Sequence, residues 1–486
     1  MLRAMAELTA GWPPRRWARK RPGSGVLSAR VCESERVARV LGVRDAAILA
    51  ATAIVVRAAW VLHTSNYQPV RDGVDYNRLG ASLALGHGYV LNGKLTAFRP
   101  PGYAGFLGLW YAITGVPKSS WSGVRLAQAG LGTLSVVLIA VIAAQLWGRR
   151  SGLVAGAIAC VYPPLWLVSE SMVSEALFVP LMLLAVTCAV VVSRRRAGWP
   201  WVVACGTAIG LATLTRPVGL VMLAPLALLC AAGRPRWSRI AVLALTVAAV
   251  LAPWTIRNWT VFHQPIPLVS TEFGETLAGT YNVLSRADRA QPAAWRIPHR
   301  APPWQPRVVP GYQHLYARLA HANEAQRDQE LRAAALSFIG AHPSYLATVW
   351  KWNTLRLLDL AGLGRSRETA ATIGLGPGSA TLAAIAFWLL APLALLGALG
   401  KTARGAPRAL WAIPLLGYAS IVFITTETPR FRAPLEPFVI LLAAAAICDI
   451  ARRVARRSDR RSSLGLQRAA SARGGDEGQE LGHDRP

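Results

Sequence analysis

The chain has 486 residues, 53% hydrophobic and only 16% charged, with a formal net charge of +29. Apolar residues gathered into blocks of spanning length exclude an ordinary soluble protein. The basic excess sits largely in the two tails and in short connections, which fits topology signals and attraction to anionic lipid, not nucleic-acid binding.

Residues 1–44 form a basic tail too long for the charged region of a cleavable signal, so the first apolar run reads as a signal anchor. Apolar runs of the length that crosses a bilayer core follow at 45–63, 124–147, 151–168, 171–193, 199–215, 217–233, 238–256, 379–399, 408–425 and 433–451. The pattern predicts an all-α polytopic membrane protein of about ten transmembrane helices. Residues 344–361 would be an eleventh, but Lys351, Arg356 and Asp359 favour an interfacial helix there. Six cysteines give no disulfide framework: Cys32 is in the tail and the other five lie in or at apolar runs. The eight histidines show no metal-ligand spacing.

Basic connections at 149–150, 194–196, 234–239 and 401–408 alternate along the chain, which puts both termini in the cytoplasm. The expected organisation is a basic tail at 1–44, a transmembrane core at 45–258 that includes a first outer loop at 64–123, an extracytoplasmic segment at 259–378, further spans at 379–452, and a basic tail at 453–486 that reads as disordered. Both long hydrophilic segments then share the outer face.

The first outer loop opens with "RDGVDY". Tyr76, Leu79 and Leu83 fall at the spacing of a short amphipathic helix. Asp72 reads equally as its N-cap, with Asp75 three residues on in a capping-box arrangement, or as a functional acid. Gly86, His87 and Gly88 end that helix. Arg99-Pro100-Pro101-Gly102 is a rigid turn before a second, membrane-hugging helix rich in aromatics.

Outer connections break the charge rule with arginine: Arg216 in "LTRPVG", Arg257 where the seventh span emerges, and Arg430 and Arg432 in "TETPRFRAPLEP". A guanidinium fork suits phosphate or carboxylate. Snorkelling anchors at the interface are the plainer reading of any one of them; together they favour an outer anion site. Glu175, an acid in an apolar run, costs about 2.5–3.5 kcal/mol to insert and implies an internal ion pair or a role in a site. Arg57 implies a partner inside the bundle. In the outer segment Trp295, Trp304 and Tyr312 could stack on sugar or pack a small domain, and 316–341 reads as one amphipathic helix.

Six stretches occur in a particular order over residues 45–450: "RDGVDYNRLGASLALGHGY", "TAFRPPGYAGFL", "SESMVSEALF", "LTRPVG", "PWTIRN" and "ETPRFRAPLEPFVILLAAAAI". Together they resemble the C-type (GT-C) integral-membrane glycosyltransferases, most of all the family 39 and aminoarabinose-transferase-like enzymes related to protein O-mannosyltransferases. That family places an acid early in the first outer loop, often Asp-Glu, with an aromatic four positions after the Asp. Asp72 and Tyr76 match; Gly73 stands where the second acid would be, and Asp75 is the nearby acid left to compensate.

The resemblance implies an inverting glycosyltransferase of the bacterial plasma membrane, hexosyl or pentosyl, with its active site extracytoplasmic. A sugar would pass from a polyprenyl-phosphate donor to a hydroxyl on a glycan, lipid or protein acceptor. It implies Asp72 as general base, and Arg216, Arg257, Arg430 and Arg432 at the donor phosphate. Tyr76, Arg99 and Glu175 are further substrate contacts in this reading. Some relatives use a divalent metal and others do not, so the metal stays open. A lipid-linked-sugar flippase is the alternative class, though no internal repeat is evident; a catalytically silent relative is the other, kept open by Gly73.

Overall fold

The computed structural model describes residues 41–195, 197–232, 235–266, 269–296, 313–424 and 429–455. Nearly all of both tails, with Cys32, and Trp304 and Tyr312 lie outside these residues.

All ten predicted apolar runs are helical. The bundle begins with α1 (Val43–His63). The 64–123 segment then supplies α2 (Asp72–Ala84), a two-stranded hairpin of β1 (Val90–Leu91) and β2 (Lys94–Leu95), and α3 (Pro101–Thr114). Next come α4 (Ser122–Trp147), α5 (Arg149–Val161), α6 (Pro163–Ser169), α7 (Glu175–Arg195) and α8 (Trp199–Thr215). A 3-10 turn (Pro217–Met222) leads into α9 (Leu223–Cys230), followed by α10 (Arg236–Phe262).

The 259–378 segment holds α11 (Phe273–Thr280), α12 (Val283–Ala287), α13 (Gln313–His321), α14 (Glu324–Ala341), α15 (Tyr345–Leu357) and α16 (Leu363–Ala371). The chain closes with α17 (Pro377–Leu399), the short α18 (Lys401–Arg404), α19 (Arg408–Ile424), a 3-10 turn (Pro429–Arg432) and a helix over 436–455.

Five helices, α1, α4, α7, α10 and α17, each have the length and hydropathy of a membrane span. A sixth is formed if α5 and α6, bent by 58° at Tyr162, count as one. The last run forms the uninterrupted helix over 436–455; among the others, Pro163 follows α5 and Pro217 follows α8, each removing a backbone donor from the helical ladder.

α4 and α7 form the centre, and most of their side chains are buried. α10 lies at the periphery and keeps most of its apolar surface outward, as a lipid-facing helix does. Arg57 is fully buried in α1; its Nε lies 3.8 Å from Glu170, the partner expected inside the bundle. From α4, Arg125 donates to the Glu170 carbonyl at 2.8 Å, and Gln128 to those of Ser169 and Ser171 at 2.9 and 2.8 Å. These bonds fix the "SES" connection between α6 and α7, and with it the start of α7 at Glu175.

Two expectations change. The N-cap of α2 is Arg71, not Asp72, and no side chain makes a capping bond there. Asp72 sits one position inside the helix with its carboxylate turned to other partners. The predicted helix over 316–341 is divided at Asn323, whose side chain accepts from the Gln326 amide while Gln326 bonds back to the Asn323 amide, both at 2.9 Å. That capping box starts a new helix instead of continuing the old one.

Candidate active site

Two glycines bring the site together. A Cβ on Gly73 would lie 2.9 Å from the Met172 carbonyl oxygen, so α2 packs directly against the connection that leads into α7. A Cβ on Gly102 would lie 2.5 Å from Thr215 Oγ1 and 2.8 Å from its amide nitrogen. The "RPPG" turn therefore rests against the end of α8, and Arg99 is carried to the neighbourhood of Arg216. Tyr76 and Tyr103 meet edge to face at 5.1 Å and hold α2 to α3.

A continuous ionic chain results. Arg216 Nη1 lies 2.8 Å from Glu175 Oε1, and Arg430 Nε donates to the same oxygen at 2.8 Å. Arg430 Nη2 donates to Asp72 Oδ2 at 2.6 Å, and Arg99 Nη2 to Asp72 Oδ1 at 2.7 Å. Arg99 also binds Asp75 Oδ2, at 2.9 Å from Nη2 and 3.2 Å from Nε, and Glu272 Oε1 at 2.5 Å. Three arginines thus hold four acids drawn from three separate parts of the chain.

This chain closes one end of a cavity of about 750 Å3, within the usual size of a small-molecule site. Asp72, Tyr76, Arg99, Arg216, Glu272 and Arg430 line that end. Val218, Leu220, Val221, Ile421, Ile424 and Phe431 give it an apolar wall between the Pro217–Met222 turn and α19. Arg71, another lining residue, holds φ at +46°. Such a conformation costs on the order of 1–3 kcal/mol and is retained where the surroundings fix it, often at functional sites.

The arginines differ in what they have to offer a ligand. All three of the Arg99 nitrogens are engaged by carboxylates, so it serves as the hub that fixes the acids. Among the described residues Arg216 hydrogen-bonds only through Nη1, to Ser174 and Glu175, which leaves Nε and Nη2 as donors. Glu175 is fully buried behind the two arginines it binds and does not itself line the cavity. Asp75 likewise touches Arg99 without lining it.

Two of the predicted phosphate ligands are elsewhere. Arg257 donates to the carbonyls of Thr96 at 2.7 Å and Tyr89 at 3.4 Å, and lies over the Trp254 ring at 4.9 Å. It ties the hairpin to α10. Arg432 is buried against Asp359 at 2.9 Å and against Glu436. Neither lines the cavity. Glu272 was the residue sequence reasoning passed over; it lies in "STEFGETL", a stretch with no motif around it. The only signal was an acid beside Thr271 at the start of an amphipathic turn.

Burial would raise the Asp72 carboxyl, but the charges of Arg99 and Arg430, with the Arg430 bond, outweigh it and hold the group well below the ordinary carboxylate range. Glu272 moves the other way. Burial raises it, the negative charge of Asp72 adds to the rise, and Arg99 offsets only part. Two acids bridged by one guanidinium are thereby separated in acidity, a pattern found where acid and base roles are divided. Among the described residues no three His, Cys, Asp or Glu side chains converge as metal ligands do. Both Asp72 oxygens hold guanidinium groups, so this arrangement does not fit a divalent ion.

Residues 98–256 match the family described as dolichyl-phosphate-mannose-protein mannosyltransferase. The chain is similar to these membrane glycosyltransferases. The matched segment carries Arg99, Glu175 and Arg216, while Asp72, Glu272 and Arg430 join them through the fold. No curated protein matches the chain. Among solved structures, ArnT from Cupriavidus metallidurans bound to undecaprenyl phosphate overlaps with a TM-score of 0.41 at 16% identity, over 82% of this chain and 77% of that one. The archaeal oligosaccharyltransferase AglB from Archaeoglobus fulgidus, in complex with an inhibitory peptide and a dolichol-phosphate, gives 0.42 at 11% identity. That overlap covers 90% of this chain and 52% of AglB. At such scores the site, not the overlap, has to carry the chemistry.

Proposed function

We propose that the chain transfers a sugar, with inversion, from a polyprenyl-phosphate donor to an acceptor hydroxyl at the outer face of a bacterial plasma membrane. The observation that carries this reading is a single cavity with an ionic end and an apolar wall. A prenyl chain suits the wall between the Pro217–Met222 turn and α19, and the phosphate then meets Arg216 and Arg430. In this reading the ten helical runs cross the membrane, both tails are cytoplasmic, and the segments 64–123 and 259–378 share the outer side. The convergence of Asp72, Arg99, Glu272 and Arg430 from those segments and from the last outer turn supports it.

The acceptor oxygen attacks the anomeric carbon as the bond from that carbon to the phosphate oxygen breaks. The bonding pair leaves with the phosphate, whose added charge Arg216 and Arg430 stabilise. The acceptor proton passes to Asp72. A carboxylate gripped by two guanidiniums is a weak base, so the donor has a second part to play. Its phosphate offsets the field of the arginines and competes for Arg430, and the basicity of Asp72 rises only when donor is bound. Glu272, whose proton is held more readily, orients the acceptor hydroxyl from the other side of Arg99.

The test is to incubate the purified full chain with a panel of polyprenyl-phospho-sugars and glycan, lipid and peptide acceptors, and to measure released polyprenyl phosphate. Release from at least one donor, lost in Asp72→Asn, is expected. No release from any of them would defeat the proposal.

A further inference from the structure

Besides the ionic end, the cavity has a second polar wall, built from residues 291–296 and α16. The 291–296 segment contains neither helix nor strand, yet its backbone is held by many hydrogen bonds. The Arg296 amide donates to the Gly279 carbonyl at 2.8 Å, and Asn282 Nδ2 donates to the Arg296 carbonyl at 3.0 Å. Ser285 Oγ reaches the Ala294 carbonyl at 2.5 Å. Arg356, buried in α15, donates to the carbonyls of Pro292 at 2.5 Å and Ala293 at 3.3 Å. Satisfied backbone groups on this scale fix an irregular segment almost as firmly as a strand.

What the segment presents is Trp295 and Arg296, both half-exposed and both lining the cavity. Arg365 of α16 lines it as well. Arg296 is paired with Asp288 at 2.7 Å and Arg365 with Glu368 at 3.0 Å. Arg356 stands behind them. Of the 291–296 segment and α16, the charged residues that line the cavity are Arg296, Arg365 and Glu368, with Glu275 of α11 lining it as well. The crowding is felt at Arg356. Burial, then the like charges of Arg365 and Arg296, lower its guanidinium to about 10.

An indole beside fixed guanidiniums has a specific ligand chemistry. The aromatic face stacks on the C–H face of a sugar ring, and the forks bind a carboxylate or phosphate attached to it. A neutral sugar would gain the first contact and not the second. We propose that Trp295, Arg296 and Arg365 form the acceptor subsite and that the acceptor is an acidic glycan, one whose terminal region carries a carboxylate or a phosphate. This rests on reading the cavity as a glycosyl-transfer site. Arg356 acts as a positioning residue, holding the Trp295–Arg296 edge in place through Pro292 and Ala293.

The full chain in detergent is titrated with three oligosaccharides of one length: neutral, uronate-terminated and phosphate-terminated. Binding is followed by calorimetry. Both acidic forms are expected to bind about tenfold more tightly than the neutral one, a difference of about 1.4 kcal/mol. A preference for only one of them identifies which acid the wall reads. Arg296→Gln and Arg365→Gln are expected to abolish the preference while neutral binding persists, and Arg296→Lys to restore part of it. Equal affinity of wild type for neutral and acidic forms would overturn the assignment without any variant having to fold. So would a preference that survives both Gln substitutions. Donor turnover is measured separately without acceptor, as slow release of polyprenyl phosphate to water and, with acceptors added, as transfer. Turnover with no acidic preference overturns this subsite alone. Absence of all turnover overturns the transfer reading, and the acceptor assignment with it.

Discussion

Arg430 and Arg432 stand two residues apart in one 3-10 turn and have opposite lives. Arg430 lines the cavity, binds Glu175 behind it and reaches Asp72 of α2. Arg432 points the other way, into the protein. There it meets Asp359 and Glu436, donates to the Leu357 carbonyl at 2.5 Å and lies 3.6 Å over the Phe387 ring. A turn with about three residues per repeat sends positions i and i+2 to different sides. One guanidinium therefore faces the cavity, and the other is turned into the protein and locks α15, α17 and the last helix together. The lesson is that the residue type decides the chemistry available, and the partners decide whether any of it is left for a substrate.

Breaking this contrast is straightforward, because the two clusters should fail in different assays. Asp72→Asn should lower transfer by about 10²–10⁴-fold, the range for a lost general base, with membrane abundance unchanged. Near-normal turnover in that variant would remove Asp72 from the chemistry. Arg432→Leu should instead leave Asp359 and Glu436 buried without their cation and cost about 3–5 kcal/mol of stability. Thermal unfolding in detergent reads this directly; an unchanged midpoint with lost donor affinity would return Arg432 to the ligand side. Arg216→Ala should reduce transfer by about 10²–10³-fold through the leaving phosphate, and affect donor use more than acceptor binding.

Smaller effects sharpen the same picture. Gly73→Ala forces a Cβ against the Met172 carbonyl and should cost about 1–3 kcal/mol. The pH dependence separates the two acids. Asp72, held low in the fold, contributes stability above its unfolded value of about 3.8 and loses it as pH falls through its folded value. The stability gap between wild type and Asp72→Asn should therefore be full at neutral pH and close on acidification. Glu272 is raised, so its folded form binds the proton more tightly, and wild type should lose stability relative to Glu272→Gln as pH rises past about 4.5. Unfolding of wild type and Asp72→Asn at pH 7 and about pH 2, and of wild type and Glu272→Gln at pH 4 and pH 7, checks both signs. The smallest change belongs to Arg257→Lys, which should cost about 1 kcal/mol by loosening the hairpin from α10, with the KM for donor unmoved.

The apolar runs were legible because a helix that must bury its own backbone bonds in lipid needs a long, nearly uncharged stretch, and such a stretch is visible in any window. So were the arginines at 216, 257, 430 and 432, since they depart from the alternation of basic connections along the chain. What those arginines do was not legible. Asp72 looked as much like a helix cap as an acid with a task, and only the packing of α2 on the "SES" connection shows its oxygens facing Arg99 and Arg430. Glu272 had no motif at all; it enters the site because Arg99, 173 positions away, reaches it.

The missing second acid has the same kind of explanation. Gly73 reads as a defect in the family pattern until the Met172 carbonyl is seen to fill the space its side chain would need. The cavity-lining acid comes from a different part of the chain. Sequence by itself determined the helices, their order and the residue types available for anion chemistry, because these depend on local hydropathy and local charge. Which arginine keeps free donors, which is saturated, and which acid faces the cavity depend on partners tens to hundreds of residues distant. Ion pairing acts over a few ångströms whatever the separation along the chain, so only the tertiary structure could decide them.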